Sequence, residues 1–269
     1  MNQDQFFNPF KGNAPFNLTK FASVGSLKNV HPRKPNKEGY IIGPALDLED
    51  IVLLPQSLAP LVLNNLELLH FLQETYEQNQ TIFGLFTDPA SSTEDPLFLD
   101  IAVEMAIASI IELDSDRYSV LFQVLRRVEF ADIAVDGDQV YLKALPIKHR
   151  YRRTEHLTAL KRLVIEQFER YVDLVEFISE DVFNYIEETE DPGDLADFIV
   201  STLDLPYATR VAFLKETNGV ERLNMLLRTL TSEINILKLE EDINNQVQSE
   251  LDRSQREIYI REQISTLQK

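Results

Sequence analysis

The sequence predicts an α+β fold: a small antiparallel β-barrel with one helix, followed by an α-helical bundle that ends in one long protruding helix. Three observations carry this. Between about Ala45 and Leu145, short apolar runs alternate with turns too brief for parallel crossovers, so they read as antiparallel hairpins. After Pro146 the strand signals cease and apolar residues recur every three or four positions. From Val220 to Lys269 there is neither proline nor glycine. An unbroken helix of that length spans roughly 75 Å, too long to be buried in one core.

Residues 1–43 are polar and rich in Pro, Asn and Ser, with isolated phenylalanines, and are expected to be a disordered basic arm. They contain no apolar run of the kind a secretory signal needs, and one arginine where a mitochondrial presequence needs several. The β domain is expected over 44–148. Ile51–Leu54, closed by Pro55, and Ala59–Leu63 read as two strands at a sheet edge, where proline costs no ladder bond. Asn64 or Asn65 is placed to cap a helix with apolar positions Leu66, Leu69, Leu72 and Tyr76. Strands follow at Thr81–Thr87, Ala102–Leu113, Tyr118–Val124, Val128–Val135 and Val140–Leu145, with Asp114-Ser115-Asp116 and Asp136-Gly137-Asp138 at turns.

The bundle is expected over 149–219, with helices at Thr154–Phe168, Glu180–Glu188, Asp194–Leu203 and Pro206–Thr217. Asp191–Asp194 reads as a turn feeding an N-cap, and Asn218-Gly219 as a left-handed C-cap. The long helix, 220–269, divides near Leu239. Leu223, Leu226, Leu230, Ile234 and Leu237 form a stripe wide enough to pack on the bundle. Beyond it the stripe thins to Ile243, Val247, Leu251, Ile258, Ile264 and Leu267, a seam narrow enough for a coiled coil or a rod laid along a partner.

The chain has 269 residues, no cysteine and a net charge of −18, which argues against a dedicated nucleic-acid binder. No apolar run reaches the length of a membrane helix, and the compartment expected is the cytoplasm. The basic patch Lys143–Arg170 reads as a linker, or as a partner for the chain's own acidic surface. No phosphate-binding G-x-x-x-x-G-K-[ST] loop and no serine–lysine dyad is found, and His31, His70, His149 and His156 form no ligand set. No catalytic, cofactor-binding or metal-binding residue is expected in this chain.

Ser254-Gln255-Arg256-Glu257-Ile258-Tyr259-Ile260-Arg261-Glu262-Gln263 resembles the long-helix signature of Lon proteases, and Leu267-Gln268-Lys269 matches the run that follows it. Asp191-Pro192-Gly193-Asp194-Leu195-Ala196-Asp197 resembles the family's DPG-x-LAD helix start. Asp50–Pro55 with Pro60-Leu61, and Tyr118–Phe122, are similar to its β hairpins. The resemblance covers about Ala45 to Lys269. Ala102, Asp116 and Val124 stand where the family has glycines, Glu49 where it has arginine, and Ile258-Tyr259 where it has a tyrosine pair.

The resemblance implies a PUA-like barrel in the amino-terminal region of an ATP-dependent serine protease. Its ATPase and protease domains, with the ATP and magnesium they use, would lie outside this chain. The implied role is capture of unfolded or damaged polypeptides and organisation of a hexamer. Leu251, Ile258 and Tyr259 are the candidate substrate- or partner-binding residues; packing in the helix's own bundle or against a neighbouring subunit is the other reading of them. The alternative from another class is a stand-alone PUA-like adaptor that binds a ligand and self-associates through the long helix.

Overall fold

The computed structural model describes residues 6–7, 30–48, 51–63, 65–91, 97–114, 117–136, 139–148, 151–175 and 180–267. The strands are β1 (Phe6–Phe7), β2 (Ile41–Asp47), β3 (Leu58–Leu63), β4 (Thr81–Leu85), β5 (Ile101–Asp114), β6 (Arg117–Asp136) and β7 (Gln139–Pro146). The helices are α1 (Leu66–Glu77), α2 (Glu155–Val172), α3 (Glu180–Glu188), α4 (Pro192–Thr202), α5 (Tyr207–Lys215) and α6 (Gly219–Leu267). Apart from α1, which lies between β3 and β4, sheet and helices segregate along the chain, as in an α+β fold.

The strand order is β1-β3-β6-β5-β4-β2-β7, and β6 also pairs with β7, so β6, β5, β4, β2 and β7 form a closed ring of pairings. Each ring strand contributes to a small apolar cluster: Ile41, Phe83, Leu85, Ala102, Val128, Leu142 and Ala144. The opposite faces of β2, β4, β5 and β6 belong to a larger core that continues without a break into the helices, from Leu46 and Phe122 through Phe198 to Leu226 and Ile234. Strand alternation makes both cores possible, because successive side chains face opposite sides of the pleat.

Three strand expectations are corrected. Ile51–Leu54 is not a strand; it is a buried segment of irregular backbone. The strand of this region is β2, which starts at Ile41 within the stretch read as an arm. Pro44 does not disqualify it, because pairing with β4 begins only at Ala45. β2 and β4 run parallel, joined by a crossover that contains β3 and α1. The two strands expected at 118–124 and 128–135 are one bent strand of 20 residues, β6. Its pairing with β5 skips Leu125 and its pairing with β7 skips Ala131, bulges that turn the strand from β3 toward β7.

Of the arm, Phe6–Phe7 pairs antiparallel with β3. His31 to Tyr40 lies along the sheet, held chiefly by Arg33. Its guanidinium donates to Thr81 Oγ1 (2.9 Å) and to the Thr81 carbonyl (2.6 Å), and its backbone N–H donates to Glu104 Oε1 (2.6 Å). Arg126 joins from β6, through Nε to Glu104 Oε2 (2.7 Å) and Nη2 to the Arg33 carbonyl (2.7 Å). The rest of 1–29 lies outside the described residues.

One of the expected helix caps is as read and one is not. Asn65 caps α1, its side chain accepting from the N–H groups of Glu67 and Leu68. In the turn Asp191–Asp194 it is Asp191 that caps α4, accepting from Gly193 and Asp194 with Pro192 at the first position, so the helix starts two residues before the expected Asp194. Asn218-Gly219 is not a left-handed C-cap. The only positive-φ residues described are Gly39, Gln56 and Asn79, α5 ends at Lys215 with Glu216 as its C-cap, and Asn218 Oδ1 accepts from Val220 N–H at the start of α6.

Candidate functional site: a polar joint and an exposed helix face

Burial along α6 changes where its stripe thins. Leu223, Leu226 and Leu230 are fully buried and Ile234 nearly so, packed on α2 and α4. Beyond them Leu239, Ile243, Val247 and Leu251 are each about half exposed, at 60%, 49%, 51% and 52%. Steps of four residues at about 100° per residue keep these four, with the exposed Ile236, inside a sector of about 120°. The result is an apolar face on a rod whose other sides are mostly polar, with the half-exposed Ile260 outside the sector. Leu251, the described member of the candidate set, lies on this face. The side chains of Ile258 and Tyr259 lie outside the described residues; by helical register position 258 continues the sector and position 259 falls outside it.

The root of α6 is fixed by a buried polar joint. Arg127 on β6, Asp197 on α4 and Arg222 on α6 have no exposed surface. Arg127 donates from Nη1 and Nη2 to the two carboxylate oxygens of Asp197, the second at 2.7 Å. Its Nε and Nη2 also reach the carbonyls of Leu214 and Phe213, each at 3.0 Å, at the end of α5. Arg222 Nε lies 3.1 Å from Asp197 Oδ1 at ion-pair distance but without hydrogen-bond geometry, while its Nη1 donates to the Glu216 carbonyl (2.6 Å). One carboxylate thus faces two guanidiniums. Burial lowers the pKa of Arg222, and Asp197 opposes that shift.

Around the joint the backbones approach closely. A Cβ on Gly219 would stand 2.8 Å from the nitrogen and 3.0 Å from the Cα of Gly193, and a Cβ on Gly193 would stand 2.2 Å from Arg222 Nη2. Only glycines let the first turns of α4 and α6 meet here. Beside them Asp194 has its pKa raised, first by burial and then by Asp191 and Asp197, with a hydrogen bond to Gln56 opposing the rise. Gln56, itself in the left-handed region at φ 68°, also accepts from Tyr185 Oη at 3.0 Å. Sequence reasoning missed this joint. The available signals were the DPG-x-LAD run, which contains Gly193 and Asp197, and the isolation of Arg126 and Arg127 in an acidic stretch.

An open cleft of about 280 Å³ lies beside these helix starts, lined by Ile147, Lys148, Tyr151, Asp191, Pro192, Thr217, Asn218 and Gly219. Among the described residues no group of three His, Asp or Glu could hold a metal ion, and His31, His70 and His156 are exposed. In the basic patch, Arg153 pairs with Glu190, Lys161 Nζ donates to the carbonyls of Thr189 (2.8 Å) and Glu190 (3.1 Å), and Arg170 pairs with Glu166 (2.7 Å). These bases are engaged with the chain's own acids and with the end of α3. No helix among the described residues is long and apolar enough to cross a membrane.

Comparison with known proteins places this architecture. The Lon protease of Escherichia coli K12 is 29% identical over 238 residues, covering 87% of this chain and 30% of that protein. The chain therefore spans about a third of the length of the curated relatives it matches. Two solved structures share the fold: the N-terminal domain of Mycobacterium avium complex Lon protease (17% identity, TM-score 0.55, covering 71% of this chain and 98% of that one), and the Lon N-terminal domain protein from Xanthomonas campestris (15%, TM-score 0.50, covering 70% and 98%). Residues 43–232 match the family described as the ATP-dependent protease La (LON) substrate-binding domain. Since that match takes in nearly all of the ring, the bundle, the polar joint and most of the buried half of α6, the chain belongs to the LON substrate-binding domain family.

Proposed function

We propose that this chain is the polypeptide-engaging and assembly region of a Lon-type ATP-dependent protease of the cytoplasm. The observation that carries the reading is the division of α6. Its first half is locked into the body, and its second half presents Leu239, Ile243, Val247 and Leu251 to solvent. Exposed apolar residues in such a row are expensive in water unless something covers them. Extended apolar segments of unfolded or damaged protein fit the face without sequence preference, since side-chain burial is non-directional. Neighbouring copies in a hexamer can share the same rods. ATP and magnesium belong to another part of the parent protein, and peptide hydrolysis likewise.

The test is the triple variant Ile243→Asp, Val247→Asp, Leu251→Asp. Binding of reduced, carboxymethylated lactalbumin is measured by anisotropy and mass by light scattering, with thermal melting as the control for the body. Loss of lactalbumin binding, with melting unchanged, is the expected result. Wild-type binding together with wild-type mass would sink the reading.

A further inference from the structure

We propose that Glu104, Arg126 and Thr81 form a receptor for one arginine of an extended polypeptide, filled in this chain by its own Arg33, and that an arginine-bearing segment of a client exchanges with it. Its role as a client site rests on the polypeptide-capturing reading of the previous subsection.

Arg33 is gripped at both its backbone and its side chain. Its N–H donates to Glu104 Oε1 (2.6 Å), and its carbonyl accepts from Arg126 Nη2 (2.7 Å). The two gripping residues are themselves paired, Arg126 Nε to Glu104 Oε2 at 2.7 Å. In the guanidinium, Nε donates to Thr81 Oγ1 (2.9 Å), Nη2 to the Thr81 carbonyl (2.6 Å) and Nη1 to the Ile42 carbonyl (3.3 Å). Thr81 Oγ1 donates in turn to Glu104 Oε1 (2.7 Å), which leaves its lone pair aimed at Arg33. Glu104 and Thr81 are buried, so the acceptors are held in place by the body. Gly43 makes the slot for the fork. A Cβ there would stand 2.7 Å from Arg33 Nε and 2.8 Å from its Cζ.

The residues around Arg33 contribute nothing comparable. His31, Pro32 and Lys34 to Glu38 are exposed. Among the described residues, the hydrogen bonds from 31–38 to the sheet all belong to Arg33, while Asn36 closes a turn with Glu38, Gly39 and Tyr40. The contact therefore reads one backbone N–H, one backbone C=O and one guanidinium, a unit that any extended segment with an arginine supplies. Lysine does not replace it, because a single ammonium cannot span acceptors arranged for a planar fork. Charge favours the exchange as well. From 44 to 142 the only bases are Arg117, Arg126 and Arg127, in a chain of net charge −18, so a cationic segment is drawn to this domain. Tethered to the same chain, Arg33 competes at high effective concentration and acts as the resident ligand.

Arg33→Ala empties the slot, and Arg33→Lys removes the fork while keeping the charge. The probes are the labelled peptide of residues 30–38, a Gly/Ser peptide of the same length with one central arginine, and both again with lysine in place of that arginine. Binding to the full chain is measured by anisotropy and located by the NMR shifts of the Gly43 and Thr81 amides, with thermal melting as the control for folding. Both arginine peptides are expected to bind whichever variant folds at least about ten-fold more tightly than the wild type, and the lysine peptides should show no such gain. Adding Gly43→Ala should abolish the binding, since the new Cβ takes the place of the fork. Equal binding of arginine and lysine peptides, no gain over the wild type, or binding that survives Gly43→Ala overturns the proposal. So does failure of both Arg33 variants to fold, which makes Arg33 a fixed structural tie. Lactalbumin binding by the wild type, measured alongside, leaves the helix-face reading standing in each of these cases.

Discussion

Arg127 and Asp197, 70 residues apart in sequence, face each other through two hydrogen bonds with no solvent-exposed surface on either residue. The pair ties β6 to α4, and Arg222 brings in α6 on the same carboxylate. Removing Asp197 strands two guanidiniums in the interior. Asp197→Ala is expected to cost about 3–5 kcal/mol of unfolding free energy, the range for a buried ion pair that loses one partner. Urea denaturation followed by circular dichroism measures it. Arg153→Ala, which breaks a pair at the surface, should leave the urea midpoint unchanged.

At Gly219 the ordinary helix rule is expected to invert. Alanine in a helix is usually favoured over glycine by about 1 kcal/mol. Here the added Cβ meets the backbone of Gly193, which has no flexible end to swing away. Gly219→Ala should therefore lower stability by about 1–3 kcal/mol, as overpacking does. A urea midpoint at or above the wild-type value would show that α4 and α6 can separate at no cost.

Asp194 gives stability a pH dependence of defined sign. Its pKa is raised in the folded protein above the ordinary value of 3.8, so the folded state holds that proton more tightly than the unfolded chain. Its contribution is fully present below the ordinary value and is lost as pH rises through the folded one. Above that window the buried carboxylate opposes folding. Asp194→Asn is expected to gain stability relative to wild type at pH 7 and to show no such gain at pH 3. Melting temperatures of both proteins at the two pH values decide it, and an equal difference at both would remove the assignment.

The two halves of α6 should respond differently to the same kind of truncation. Leu230→Ala empties a fully buried position and is expected to cost about 2–5 kcal/mol. Val247→Ala, on the exposed face, should change stability by less than about 0.5 kcal/mol. Chemical denaturation of both variants measures the contrast, and comparable losses would mean that the exposed half is packed in solution.

Legibility in the sequence followed the range of the interactions. Elements set by local pattern were readable: α1 from Asn65 and the spacing of Leu69 and Leu72, the β5–β6 and β6–β7 hairpins, and the start of α2 at Thr154. What depended on distant partners was not. β2 is a strand because β4 and β7 flank it, and nothing near Gly43-Pro44 announces this. Arg127 looks like any strand arginine until Asp197 is brought to it. Asn218-Gly219 fits a C-cap by composition, yet the backbone of Gly193 explains why glycine is there. For the candidate site, the thinning stripe was visible from spacing alone, and Leu251 falls on the exposed face.

The length of α6 makes it a lever as well as a surface. From Lys238 to Leu267 it runs about 45 Å beyond its buried half. From the first turn to Leu267 the helix spans about 73 Å, so a tilt of about 5° at the root would carry the far end through about 6 Å. The pivot is the first turn, where Gly219 meets Gly193 and Arg222 faces Asp197. A load on the far end therefore arrives as torque at the seam between sheet and helices, and any shift of that seam is read out, magnified, at the far end.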